Sequence, residues 1–208
     1  MRRLLLATVI ASLGACATMT PVGERPRVSA ADLEEITAVL KRDFTARGQA
    51  QMNRVELDDV QRLCNLHADN PPAELAKPLE QAQLKAIQYP AGNLMGDWKA
   101  GERIAQNGRG SMWSDKPGVQ PGGSCYNCHR ISPAEPAHGT VGPTLLGFGK
   151  TRGSGPDMQR YVYGRIYNSK AYNLCSQMPR FGHAGSLNEQ QIKDLVALLL
   201  DPASPVNR

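Results

Sequence analysis

One five-residue stretch constrains this 208-residue chain more than any other: Cys125-Tyr126-Asn127-Cys128-His129. Two thiols three positions apart, followed at once by an imidazole, form the C-x-x-C-H spacing through which a haem is attached covalently. Each thiol adds across one vinyl group of the macrocycle. The next side chain then lies within reach of the iron, which needs an axial base that a neutral imidazole supplies. The rival readings are a redox C-x-x-C or half of a zinc site, with a histidine following by chance.

The rest of the composition agrees with a bound cofactor. The chain holds 20 glycines and 15 prolines, crowded between about residues 90 and 185, and only 5% aromatic residues. Such a loop-rich region fills its own interior poorly, as expected where a large flat group occupies it. Setting aside Arg2 and Arg3 leaves 22 of the 24 basic residues against 19 acidic ones, a balance of about +3. Two propionates would bring this near neutrality, and no clustered basic stripe points to nucleic acid.

The N-terminus reads as an export signal over residues 1–17. Arg2 and Arg3 precede an apolar run, Leu4 to Leu13, that is too short to span a bilayer. It ends in Leu13-Gly14-Ala15-Cys16, which resembles a bacterial lipobox with Cys16 as the lipidated residue. Cleavage at the small-x-small site Ala15-Cys16-Ala17 is the competing outcome and gives a product without lipid. Either way the chain is exported to a periplasmic compartment that permits disulfides, with a lipid anchor on the first reading. Cys16, Cys125 and Cys128 account for three of the five cysteines. Two leftover thiols in an exported chain, Cys64 and Cys175, are more often bridged than free, so a disulfide is expected between them.

Hydrophobic periodicity predicts helices throughout and no convincing alternating strand, so the chain is read as all-α. After a linker at 18–28, a helical extension spans 29–89. Its helices run from Ser29 to Arg47 (Leu33, Ile36, Leu40 and Phe44 on one face, Gly48 ending it), Leu57 to His67, and Ala73 to Ile87, with Pro78 limiting the first turn of the last. Cys64 and His67 form a C-x-x-H with no ligand cluster nearby and are read as structural. The haem domain spans 90–208. A helix over Asp97–Gly108 contains Gly101, whose cost in a helix of up to ~1 kcal/mol suggests close approach of a second helix. The expected partner is Glu189–Leu200, with Ile192, Leu195, Val196 and Leu199 as its apolar stripe. Its capping box is either Asn188 with Gln191 or Ser186 with Glu189. A shorter helix is expected over Met158–Ile166.

The second axial position has few candidates beyond His129: His138, His183, Met158 and Met178. Met178 precedes Pro179 in an irregular segment, whereas Met158 sits in a helical pattern and suits gap-filling in the core. Met178 is the favoured ligand, with His183 its rival. A ligating histidine usually donates its other N–H to a carbonyl, and Gly142-Pro143 offers one on a rigid loop 14 residues after His129.

Taken together, Gly101-Glu102-Arg103-Ile104-Ala105, the C-x-x-C-H, Gly142-Pro143-x-Leu145, Met178-Pro179 and the apolar last helix resemble a class I cytochrome c over residues 96–201. Within that class, Tyr161-Val162-Tyr163 ahead of Asn168, the run Met178-Pro179-Arg180-Phe181-Gly182 and the helical extension resemble the SoxX family. These are the monohaem subunits of the SoxAX complex of bacterial sulfur oxidation. The lipobox and the Cys64/Cys175 pair depart from that pattern. The resemblance implies one covalently attached haem c held by Cys125 and Cys128, with His129 and Met178 as iron ligands. It also implies a heterodimer with a SoxA-type cytochrome, the SoxYZ carrier as a further partner, and a downstream cytochrome c as electron acceptor. Such a complex is an L-cysteine S-thiosulfotransferase whose catalytic site lies on SoxA, and the present chain would transfer electrons. The alternative is a free-standing or membrane-tethered monohaem shuttle.

Overall fold

The structure, a computed structural model, describes residues 27–208. The expected signal segment at 1–17, with Cys16, lies outside the described residues, as does all but the end of the linker. Among the described residues the regular elements are helical, and the single β-type pairing is an isolated bridge between Arg47 and Ala50. The fold is all-α.

Three helices precede the haem-motif half: α1 (Ala30–Asp43), α2 (Asp59–Leu66) and α3 (Ala73–Lys85). α1 starts at Ser29, whose hydroxyl accepts from the Asp32 N–H while the Asp32 carboxylate reaches back to the Ser29 N–H. It ends four residues earlier than the sequence pattern suggests. Gly48, expected as its stop, instead sits in a left-handed turn (φ 55°) closed by two hydrogen bonds between Arg47 and Ala50, each 2.9 Å. α2 carries a second reciprocal box, Asp58 with Gln61. α3 runs through Pro78, which removes one N–H near the helix start without ending it.

The predicted faces of these helices are only partly used. Leu33 and Val60 are buried, but Ile36, Leu40, Leu75 and Leu84 are each between 46% and 49% exposed. The buried cluster here joins Val60, Cys64 and Ala76 to Leu174, a residue far along the chain. The extension therefore completes its small core with residues of the C-terminal half.

That half contains α4 (Trp98–Gln106), α5 (Phe148–Arg152), α6 (Pro156–Tyr167) and α7 (Glu189–Leu200). α7 is the hub. Asn188 and Gln191 supply its capping box, which selects one of the two registers the sequence allows. It is buried on nearly every side, Asp194 through Leu200 included, rather than along one stripe, because α4, α5, α6 and the C-terminal turn Pro205–Asn207 surround it. Each buried Ile, Leu or Val contributes about 1.5–3 kcal/mol.

α4 packs directly on α7. A Cβ on Gly101 would collide with the Asp194 carbonyl and come 3.0 Å from the Leu198 Cβ, so glycine is required for the two backbones to meet. Around that contact, the Gly96 N–H donates to the Lys193 carbonyl (3.0 Å) and the Asp97 N–H to the buried Asp194 carboxylate (2.9 Å). The C-terminal end of α7 is closed by Asn207, whose side-chain amide donates to the carbonyls of Leu199 and Asp201.

Candidate haem site

The C-x-x-C-H motif is anchored on the end of α4. The Gly123 N–H donates to the Ile104 carbonyl (2.8 Å) and the Ser124 N–H to the Asn107 carbonyl (3.0 Å), satisfying carbonyls that the helix leaves open. Ser124 takes a left-handed backbone (φ 49°) and leads into a single 3-10 turn, Cys125–Asn127. The His129 N–H then donates to the Cys125 carbonyl (2.9 Å). The loop at 139–145 stitches back across the motif, with Gly139, Gly142 and Leu145 N–H groups donating to the carbonyls of Tyr126, Cys128 and Arg130.

Within this frame His129 Nδ1 lies 2.7 Å from the Pro143 carbonyl oxygen. A carbonyl only accepts, so Nδ1 carries the proton and Nε2 keeps its lone pair for a metal. Gly142 lies flat on the same ring. A Cβ there would overlap three of the ring atoms, including 2.8 Å from Nε2.

Cys125 and Cys128 are both half-buried and neither is in a disulfide. Burial pushes the Cys125 thiol up to about 12, far from the depressed values of reactive C-x-x-C pairs. Among the described residues, the side chains that come together as a metal-type cluster are Cys64, Asp69 and Cys175, none of them near the motif. The donor set fits a haem: two unpaired thiols beside an imidazole whose far nitrogen is available. Half-buried apolar side chains suited to cover a macrocycle, among them Ile104, Leu145, Phe148 and Met158, pack around the same core.

Met178 is half-buried and packs against that core. Its carbonyl accepts from the Ser169 hydroxyl (2.5 Å), and its N–H donates to the Ser176 hydroxyl (3.2 Å). Met158 lies on α6 against the core, in keeping with a packing role. His183, the rival ligand, is exposed on a turn where its N–H donates to the Tyr167 carbonyl. Partial burial of the ring and then Arg180 hold its pKa below the ordinary value. His138 Nδ1 lies 3.2 Å from the neighbouring Gly139 carbonyl.

Around Met178 the structure brings together the cysteine pair expected to be bridged and side-chain contacts of Arg180 and Lys170 that the sequence did not show. Cys64 and Cys175 are bonded through their sulfurs, with Cα atoms 5.5 Å apart, three residues ahead of Met178. Arg180, two residues after it, forms an ion pair with Asp58 at the start of α2 and reaches Gln83 of α3 at 3.4 Å. Lys170, only 8% exposed, donates to the carbonyls of Leu174 (3.1 Å) and Ser176 (3.3 Å). The D-x-x-Q pattern at Asp58 marks a helix cap, but no local pattern announces a partner 122 residues away.

No family model matches the chain. A protein of Aquifex aeolicus (strain VF5), described as an uncharacterised lipoprotein, is 42% identical over 130 residues. That match covers 61% of this chain, and the chain spans about 61% of the relative's length. A solved structure of SoxXA from P. pantotrophus is similar over 57% of this chain and 90% of its own, at 24% identity and a TM-score of 0.40.

Proposed function

We propose that the chain is a monohaem c-type cytochrome that transfers electrons outside the cytoplasm. The observation that carries this is the hydrogen bond from His129 Nδ1 to the Pro143 carbonyl, beside two unpaired thiols at C-x-x-C-H spacing. When bound, the haem supplies one-electron chemistry. Cys125 and Cys128 would hold it by thioether bonds and His129 Nε2 would ligate the iron. Met178 would be the second ligand, a soft sulfur donor that favours ferrous iron and raises the potential. With both ligands supplied by the chain, its role would be transfer rather than substrate chemistry.

The more specific reading is the haem subunit of a SoxAX-type complex, in which a SoxA-type partner carries the thiosulfate chemistry on the SoxYZ carrier and electrons pass to a downstream cytochrome c. It rests on the run Met178-Pro179-Arg180-Phe181-Gly182, on Tyr161-Val162-Tyr163 ahead of Asn168, and on the extension. The exposed apolar side chains Ile36, Val39 and Leu40 on α1 suit a chain that covers them with a partner. A membrane-tethered shuttle is the second reading, favoured by the lipobox-like Cys16 and by the name of the Aquifex relative.

Affinity purification from the native host grown on thiosulfate separates the two. A stoichiometric second c-type cytochrome in the eluate is the expected result for a complex subunit. A lone haem protein that partitions with membranes and is released by lipoprotein-cleaving treatment sinks the subunit reading in favour of the shuttle.

A further inference from the structure

We infer that the N-terminal extension is a clamp on the Met178 loop, with Cys64, Cys175, Asp58 and Arg180 as positioning residues that keep the methionine sulfur at the iron. This rests on the reading of Met178 as an axial ligand.

Segment 174–182 belongs to no helix, so the place of the Met178 sulfur depends on what restrains that segment. From its own half of the chain it is restrained by the Ser169 hydroxyl on the Met178 carbonyl, by Lys170 on the carbonyls of Leu174 and Ser176, by the Gly182 N–H on the Tyr167 carbonyl and by burial of Phe181 in the main core. Further restraints come from the extension, and they bracket Met178. Ahead of it, Cys175 is bonded to Cys64 of α2, and Leu174 is buried with Val60, Cys64 and Ala76. Behind it, the Arg180 guanidinium is held by the Asp58 carboxylate and by the Gln83 side chain. The same Gln83 oxygen accepts from Asn168 at 3.0 Å, next to Ser169.

The contacts combine one small buried cluster ahead of Met178 with a point contact behind it. A cleft of about 340 Å³ lies between α2 and the loop, lined by Gln61, Asn65, Lys170, Met178 and Arg180 among others. Beside that cleft the extension holds the loop through the Cys64–Cys175 bond and the Leu174 cluster on one side of Met178 and the Asp58–Arg180 pair on the other. Asp58 also keeps two tasks apart. Its Oδ1 accepts from the Gln61 N–H at 2.8 Å and caps α2, while its Oδ2 takes Arg180.

That division supplies a clean variant. Asp58→Asn keeps an oxygen for the cap, where asparagine performs as well as aspartate, and removes the charge that holds Arg180. The test uses full-length, haem-loaded protein in three forms: wild type, C64S/C175S and D58N. In each, the ferric sulfur-to-iron charge-transfer band is recorded and free imidazole is titrated against it. Imidazole binds only where the sulfur has left, so its apparent affinity reports the released fraction. The expected result is imidazole binding about tenfold tighter in C64S/C175S and several-fold tighter in D58N, with helix content by circular dichroism unchanged in D58N. If the cysteine variant does not fold, D58N decides alone. Wild-type affinity in every folded variant overturns the clamp while leaving Met178 as the ligand. Absence of the band in the wild type overturns the ligand reading, and the clamp with it.

Discussion

His129 and Pro143 are joined by a 2.7 Å hydrogen bond, Nδ1 to carbonyl oxygen, and Gly142 beneath that bond leaves no room for a side chain over the ring. The imidazole is thereby fixed in one tautomer and one orientation before any iron is considered. Gly142→Ala forces the ring or the loop to move, at a cost of about 1–3 kcal/mol typical of overpacking. The haem should remain covalently attached while a high-spin ferric fraction appears in the visible spectrum. A low-spin spectrum identical to wild type would show that the ring is not held as described.

The second axial ligand is decided by two substitutions. Met178→Ala should abolish the sulfur-to-iron band and lower the reduction potential, because a soft donor favouring ferrous iron is lost. His183→Ala should change neither, since His183 lies exposed on a turn. Spectropotentiometry of both variants is the check, and the reverse pattern would assign the iron to His183.

Gly101→Ala tests the helix pair on which the motif rests. The added methyl group meets the Asp194 carbonyl, a backbone atom that cannot swing aside. A loss of about 1–3 kcal/mol in unfolding free energy is expected, read by denaturant titration. The covalent haem should be retained.

Asp58 gives the stability a defined pH dependence. Burial raises its pKa, but the Gln61 N–H and the Arg180 guanidinium outweigh this and hold the carboxyl below its usual 3.8. A carboxyl whose folded pKa is depressed stabilises the fold above its unfolded value and loses that contribution as the pH falls through the folded one. Unfolding titrations of wild type and D58N should therefore differ at neutral pH and down to about pH 4, and converge below it. A gap that persists in acid would mean that the carboxylate charge of Asp58 is not what stabilises the fold.

The helices and the α4–α7 contact were legible because their signals are local or periodic: Asn188 with Gln191, the repeat of Ile192, Leu195, Val196 and Leu199, and a glycine in an otherwise sound helical pattern at Gly101. The C-x-x-C-H and the loop at Gly142-Pro143 lie within 20 residues of each other, so their order could be read along the chain. Less was legible where tertiary context decides. The end of α1 was misplaced because Gly48 serves a turn against the Trp113 backbone instead of a helix stop. The burial of α7 was underestimated because its surroundings come from four separate elements. The grip of Asp58 and Gln83 on Arg180 joins residues about 100 positions apart, and periodicity carries no trace of it.

The central claim is that Cys125 and Cys128 carry a haem covalently. Its most direct test is denaturing electrophoresis of the mature protein, expressed with its export signal in a host able to attach haem, followed by haem staining and intact mass. The account predicts a stained band whose mass exceeds the polypeptide by one haem, retained after acid-acetone extraction and absent in C125A/C128A. A polypeptide of unmodified mass that does not stain, or one that releases its haem on denaturation, would contradict it.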